Sequence, residues 1–204
     1  MPGGTVAVLV SGQGSILEAM VAEGVPVALV LADRPCRGIE WAKGAGLSAH
    51  LVDRADFGGF GPDFDRDTFT TRCTEVLELE DPTLVAMAGF GTIFSPSIFE
   101  RFGGRMLNTH PSLLPAFPGW HAVRDALEAK AVVTGCTVHL ATEVMDVGPI
   151  LSQGEVVIDP RWGEAELHEA IKTIERSLYP ATIKALLADH GRREAPRGER
   201  GGAT

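Results

Sequence analysis

Residues Thr5 to Val10 (TVAVLV) are a short, largely β-branched apolar run. Ser11-Gly12-Gln13-Gly14-Ser15 follows at once, and a helical pattern opens at Ile16-Leu17-Glu18-Ala19-Met20. A run apolar at nearly every position belongs in a strand buried on both faces, the kind found in parallel sheets covered by helices. Strand, glycine turn and helix in that order are the opening unit of a doubly wound α/β domain. The chain is therefore expected to be α/β, a Rossmann-like, mostly parallel sheet.

The rest of the sequence continues the alternation. Val25 to Leu31 reads as a strand, Ile39 to Ala45 as a helix closed by Gly46, and Ser48 to Val52 as a short strand. Asp53 to Asp63, with three glycines and a proline, reads as a surface loop, and residues 65–79 as a helix. Leu84 to Ala88 is the next strand. Ser95-Pro96 starts a short helix through Arg101, with Pro96 at its first position. Met106 to Thr109 is a strand, His110 to Trp120 an irregular proline-rich loop, and His121 to Lys130 a helix. The pattern then changes: Val132 to Ala141 and Ile150 to Ile158 are extended runs that predict an antiparallel C-terminal part of the sheet. Leu167, Ile171, Ile174 and Leu178 mark one face of a long final helix. A single domain is expected over residues 1–189, followed by a disordered Gly- and Arg-rich tail over 190–204.

The formal charge of −9 includes a net positive contribution from the last fourteen residues, so the body is nearer −11. Such a surface argues against nucleic-acid binding, which needs clustered Lys and Arg. It leaves room for a small phosphorylated substrate held by backbone amides at a helix N-terminus. No apolar run approaches the length of a membrane span, and Met1 to Thr5 lacks the basic region of a signal peptide. Cys36, Cys73 and Cys136 are odd in number and form no CxxC pattern. That points to a reducing cytoplasm and away from disulfides or a thiolate zinc site.

Chemistry concentrates in Asn108-Thr109-His110-Pro111-Ser112-Leu113-Leu114-Pro115 and in Asp146-Val147-Gly148-Pro149. In extended chain Asn108 and His110 point to the same face. An amide donor beside an ionisable imidazole on stiff backbone suits a developing oxyanion. The same residues also suit a strand end whose polar side chains face water. Asp146 can approach His110 and favour its imidazolium, or be an ordinary turn residue before Gly and Pro. A cis bond is expected at Leu114–Pro115. The Gly12-x-Gly14 loop fails as a dinucleotide fingerprint at Leu17, although Asp33 keeps that reading alive, and it fails as a Walker A loop outright. It does suit a single phosphate, with backbone N–H groups and the Ser15 hydroxyl at a helix N-terminus. A tight turn with no ligand is the plain alternative. His110, His121, His139 and Asp146 are of metal-ligating types, but no HExxH-like spacing supports a metal and none is expected. His121 reads as a helix-start residue and His139 as a hydrogen-bonded core histidine.

Taken in order, Ser11 to Ser15, Ala88-Gly89-Phe90, Asn108 to Pro115, Phe117-Pro118-Gly119, Thr137-Val138-His139 and Asp146 to Ile150 resemble the folate-dependent formyltransferases of purine biosynthesis, those acting on glycinamide ribonucleotide. The likeness runs from Val6 to about Ala185. It implies transfer of a formyl group from 10-formyltetrahydrofolate to the amine of glycinamide ribonucleotide, with no metal. Asn108 and His110 would polarise the formyl group, and Asp146 would keep His110 protonated. Gly12, Gln13, Gly14, Ser15, Ile16, Pro111 and Glu175 would hold the ribonucleotide. Arg66, Phe90, Gly91, Thr92, Ile93, Phe94, Asn108, Thr142 and Met145 would line the folate site. The partners implied are small molecules, with no nucleic acid and no membrane, for a cytoplasmic monomer or homodimer.

Two positions depart from the pattern. Ile16 stands where such enzymes often carry Asn, and Gly91-Thr92-Ile93-Phe94 where Met-Arg-Ile-Leu is common. Methionyl-tRNA formyltransferase and formyltetrahydrofolate hydrolase resemble the same motifs, but each carries a further domain for which this chain is expected to have no room. A non-enzymatic nucleotide-binding module using Gly12, Gly14 and Asp33 is the remaining rival.

Overall fold

The computed structural model describes residues 4–194. Seven strands form one sheet in the order β3-β2-β1-β4-β5-β6-β7. β1 (Val6–Val10), β2 (Val27–Ala32), β3 (Ser48–Leu51), β4 (Leu84–Met87) and β5 (Met106–His110) are parallel. β6 (Val133–Leu140) and β7 (Ile150–Val157) join antiparallel. The mostly parallel sheet with an antiparallel C-terminal part is the architecture expected from the sequence.

β1 lies inside the sheet between β2 and β4, and all five of its residues are fully buried. Its side chains alternate between two layers, as the two-residue period of a strand requires. Val6, Val8 and Val10 pack with Leu17 and Met20 of α1 (Ser15–Ala22), Ile39 of α2 (Arg37–Gly44), and Tyr179 and Ile183 of α6 (Glu164–Glu194). Ala7 and Leu9 face the other way, onto Phe69, Cys73 and Leu77 of α3 (Arg66–Glu78) and Ile98 and Phe102 of α4 (Ser97–Phe102). Burying a side chain such as Leu9 contributes about 1.5–3 kcal/mol, so a polar residue anywhere in β1 would unseat one layer. A smaller cluster joins α5 (Ala122–Glu128) and α6 to the antiparallel strands through Val123, Ala126, Cys136, Val156, Leu167 and Ile171.

Differences from the sequence reading are local. The Asp53–Asp63 loop contains a single 3-10 turn, Arg54–Phe57, capped by the Asp53 carboxylate on Ala55 N–H. The final helix runs on to Glu194, so residues 190–194, expected in the tail, are helical. An ion pair from Arg192 back to Asp189 supports that last stretch, where glycine content alone suggests an end. The remainder of the expected tail lies outside the described residues.

Parallel strands bring their C-terminal ends to one edge of the sheet. The chain leaves β1 toward β2 on one side and enters β4 on the other, and that reversal of strand order is where open α/β sheets bind ligands. The Gly12 loop, the Gly89–Phe94 turn and Asn108–His110 all stand there.

Candidate active site

Asn108 and His110 share one face of β5, and both line a cavity of about 250 Å³. Its walls include Met87, Phe90, Phe94, Phe99, Pro111, His139, Thr142, Met145 and Asp146. Thr109 points to the opposite face, where its hydroxyl donates to Glu175 of α6.

Every polar group at the head of the cavity is held. Asp146 has a positive φ of 59° and is almost wholly buried. Its Oδ2 lies 3.3 Å from His110 Nδ1 and accepts from Gly119 N–H at 2.8 Å. His110 Nε2 donates to the Phe117 carbonyl at 2.8 Å. Each nitrogen of the His110 ring thus meets an acceptor, an arrangement satisfied by an imidazolium with its two N–H donors.

His139 is held the other way. Its Nδ1 donates to the Leu140 carbonyl at 2.9 Å, and burial lowers its affinity for a proton, opposed by that carbonyl and by Asp146. The neutral ring leaves Nε2 as an acceptor, and Asn108 Nδ2 lies 3.3 Å from it. One amide N–H of Asn108 is taken, which orients the other. The sequence marked His139 only as a core histidine. Its place opposite Asn108 in the β5–β6 ladder is the signal that a motif reading passed over.

The loop after His110 is fixed by its own hydrogen bonds. Thr137 Oγ1 donates to Ser112 O and accepts from Leu114 N–H, while Gln153 Nε2 reaches Leu114 O. The Leu114–Pro115 bond is cis, as expected. Gly148 is required for a different reason: a Cβ there would sit 1.8 Å from the Leu140 carbonyl oxygen.

The glycine loop stands at the neighbouring strand end and lines neither this cavity nor the next. Gly14 caps α1 with φ 78°, and a Cβ on it would meet Gly38 Cα at 2.6 Å. No side chain caps the helix, so the first N–H groups of α1 and the Ser15 hydroxyl are available to an anion. Ile16 turns its side chain into the core, leaving only its backbone N–H to contribute. The Gln13 carbonyl accepts from Arg37. Ser11 Oγ accepts from Gly91 N–H at 2.6 Å, which ties this loop to the wall of the folate pocket expected from the sequence.

Thr92 faces inward, donating to Asp33 Oδ2 at 2.6 Å, and Arg54 Nη1 donates to the same oxygen at 3.0 Å. Asp33 is fully buried by this, so it does not present a carboxylate to a nucleotide ribose. Gly91, Thr92, Ile93 and Arg66 line a second, outer cavity of about 830 Å³, which shares Thr92, Ile93 and Trp120 with the first. Every residue expected at the folate site thus lines one cavity or the other.

Glu175 sits apart from both, with burial raising its carboxyl above the usual range. His121 precedes α5 as its cap and is separate from the His110–His139–Asp146 group. Burial pushes the Cys136 thiol up to about 12 and that of Cys73 higher still, so neither is a ready nucleophile.

Comparison with known proteins agrees with this geometry. The formyl transferase family model matches residues 5–183. A phosphoribosylglycinamide formyltransferase of Mycobacterium tuberculosis (strain ATCC 25618 / H37Rv) is 43% identical over 189 residues, covering 90% of this chain and 85% of the relative. One from Bacillus subtilis (strain 168) is 33% identical, covering 92% and 97%. The crystal structure of glycinamide ribonucleotide transformylase 1 from Symbiobacterium toebii superposes with a TM-score of 0.83 at 35% identity, covering 92% of this chain and 89% of that one.

Proposed function

The chain belongs to the formyl transferase family, and within it to the phosphoribosylglycinamide formyltransferases of purine biosynthesis; from that premise we propose that it transfers the formyl group of 10-formyltetrahydrofolate to glycinamide ribonucleotide by direct attack. The observation that carries this reading is the convergence of Asn108, His110 and Asp146 on one cavity, with His110 and Asp146 3.3 Å apart.

The amine nitrogen adds to the formyl carbon, and the carbonyl electrons move onto oxygen. The Asn108 N–H left free by His139 donates to that oxyanion. His110, as imidazolium held by Asp146, donates a second hydrogen bond once it gives up the Phe117 carbonyl. Collapse then breaks the bond from carbon to folate N10. The amine loses one proton and N10 gains one, and His110 is the group placed to move it. No covalent enzyme intermediate is formed. The ribonucleotide phosphate is held by the α1 N-terminus at Gly14 and Ser15, and the folate by the paired cavities. The enzyme works in the cytoplasm, where its three thiols stay free.

The test is the absorbance change of a 10-formyl folate with glycinamide ribonucleotide present and then omitted. Turnover only with the ribonucleotide is expected. Consumption without it means a hydrolase, and no change in either cuvette removes the reading.

A further inference from the structure

The glycine loop is polarised by the segment that follows β2. Four successive carbonyls, Ser11 to Gly14, are each occupied. Arg34 Nε donates to Ser11 O at 2.8 Å, Gly38 N–H to Gly12 O at 2.9 Å, and Arg37 Nη1 to Gln13 O at 2.7 Å. The Glu18 N–H takes the Gly14 carbonyl as α1 begins. By contrast, the N–H groups of Gly12, Gln13, Gly14, Ser15 and Ile16 donate to no group among the described residues. Acceptors filled and donors left open is the polarity that an anion requires.

A trans peptide is planar, and its C=O and N–H point in opposite directions. The donor that fixes the Gln13 carbonyl therefore also aims the Gly14 N–H, away from α2. Gln13 stands between two glycines, the residues that restrain a backbone least, and its carbonyl rests on a side chain alone. The same Arg37 guanidinium meets the Glu18 carboxylate in the first turn of α1, which keeps it at the loop although it is 53% exposed. With the Ile16 side chain in the core, an anion here depends on these N–H groups and the Ser15 hydroxyl. Their direction sets the affinity.

We propose that Arg37 is a positioning residue for the substrate phosphate: by holding the Gln13 carbonyl it keeps the loop N–H groups turned toward the anion, without itself touching it. This rests on the ribonucleotide reading above.

The experiment combines steady-state kinetics of the full chain with calorimetric titration of ribose 5-phosphate, which needs no turnover. Arg37→Met is expected to raise KM for glycinamide ribonucleotide about tenfold, the low end for one charge-assisted hydrogen bond, and Kd for ribose 5-phosphate by a similar factor. The kcat and the KM for the formyl folate should hold. Arg37→Lys, whose ammonium can donate to the same carbonyl, should restore most of the affinity. Adding Glu18→Gln to Arg37→Met should not, because the carbonyl stays unheld. An unmoved KM and Kd in Arg37→Met overturns the inference, as does an equal loss in kcat and folate KM, which would mean general loosening. Recovery in the double variant also overturns it, since Arg37 would then serve only to neutralise Glu18. If the unaltered protein binds ribose 5-phosphate but turns nothing over, the transferase reading falls and the loop inference is still decided by Kd. If it turns over without binding ribose 5-phosphate, the loop inference falls alone.

Discussion

Asp146 Oδ2 contacts His110 Nδ1 at 3.3 Å and Gly119 N–H at 2.8 Å, so one oxygen faces the imidazole and ties down the turn that supplies its other acceptor, Phe117 O. Asp146→Asn separates charge from position, because an amide oxygen can still accept from Gly119. If the negative charge is what matters to His110, kcat falls about 10²-fold, the lower end for a proton-transfer group, while thermal stability holds. Wild-type turnover by this variant would mean that the carboxylate serves only to place the turn.

His110→Ala removes the imidazole outright. Loss of one oxyanion donor costs about 10²–10³ in kcat, and the expected fall is at least that, with a native circular-dichroism spectrum. Near-normal turnover in a folded variant would take His110 out of the mechanism.

His139 ties stability to pH. Burial keeps it neutral in the folded protein, whereas the unfolded chain takes up a proton below about pH 6.5. The unfolded state then binds more protons, so stability is full above that pH and declines as pH falls, until the folded ring protonates too. Denaturant titrations at about pH 7 and pH 5.5 should show a smaller decline in His139→Gln than in the parent. His168 is lowered in the same direction, chiefly by burial, and cancels in the difference. Equal declines would mean that His139 is not held neutral. Turnover in the same variant should drop, since the Asn108 amide loses its partner.

Much of the fold was legible because hydrophobic periodicity is a local signal. The strand of Val6–Val10, the helix face of Leu167, Ile171 and Ile174, and the shift to antiparallel strands after Val132 all follow from spacing alone. Asn108, His110 and Asp146 were legible because they lie in short motifs. The rest depends on contacts that no local pattern encodes. Nothing near His139 in the chain says that it faces Asn108, 31 residues away. Nothing near Asp33 says that its partners are Arg54 and Thr92, 21 and 59 residues distant. The glycine-rich loop hid its ordered turn for the same reason: Arg54 is held by the carboxylate of Asp33, just past the end of β2.

That buried pair makes its own prediction. Arg54→Met leaves the Asp33 carboxylate with Thr92 but without its nearer, buried ion-pair partner at 3.0 Å; Asp33 Oδ1 has no hydrogen-bond partner, and only the half-exposed Arg34 Nε stands 3.8 Å from it. Removing one member of a buried pair costs about 3–5 kcal/mol. For a chain of this size each kcal/mol lowers the melting temperature by about 2–4 °C. Adding Asp33→Asn to Arg54→Met should recover much of the loss, because a neutral amide still accepts from Thr92. Equal stability of single and double variants would show that the charge was never the cost.

Gly148 lies two residues after Asp146, and its demand is steric. A methyl group there would stand 1.8 Å from the Leu140 carbonyl oxygen and 3.2 Å from Thr142 Cγ2. The Leu140 N–H is bonded to the Pro149 carbonyl, so the end of β6 has little freedom to move aside. Gly148→Ala must therefore push the 142–149 loop outward and carry Asp146 away from His110. The expected result is a loss of kcat comparable to that of Asp146→Asn, together with weaker folate binding through Thr142 and Met145. Gly44→Ala is the matched control, because a Cβ at Gly44 meets nothing within 4 Å. At the end of α2 that change should stabilise the protein by about 0.4–1 kcal/mol through the unfolded chain and leave turnover alone. If Gly148→Ala behaves like Gly44→Ala, the loop has slack that the Leu140–Gly148 approach denies, and the placement of Asp146 does not depend on the glycine in its motif.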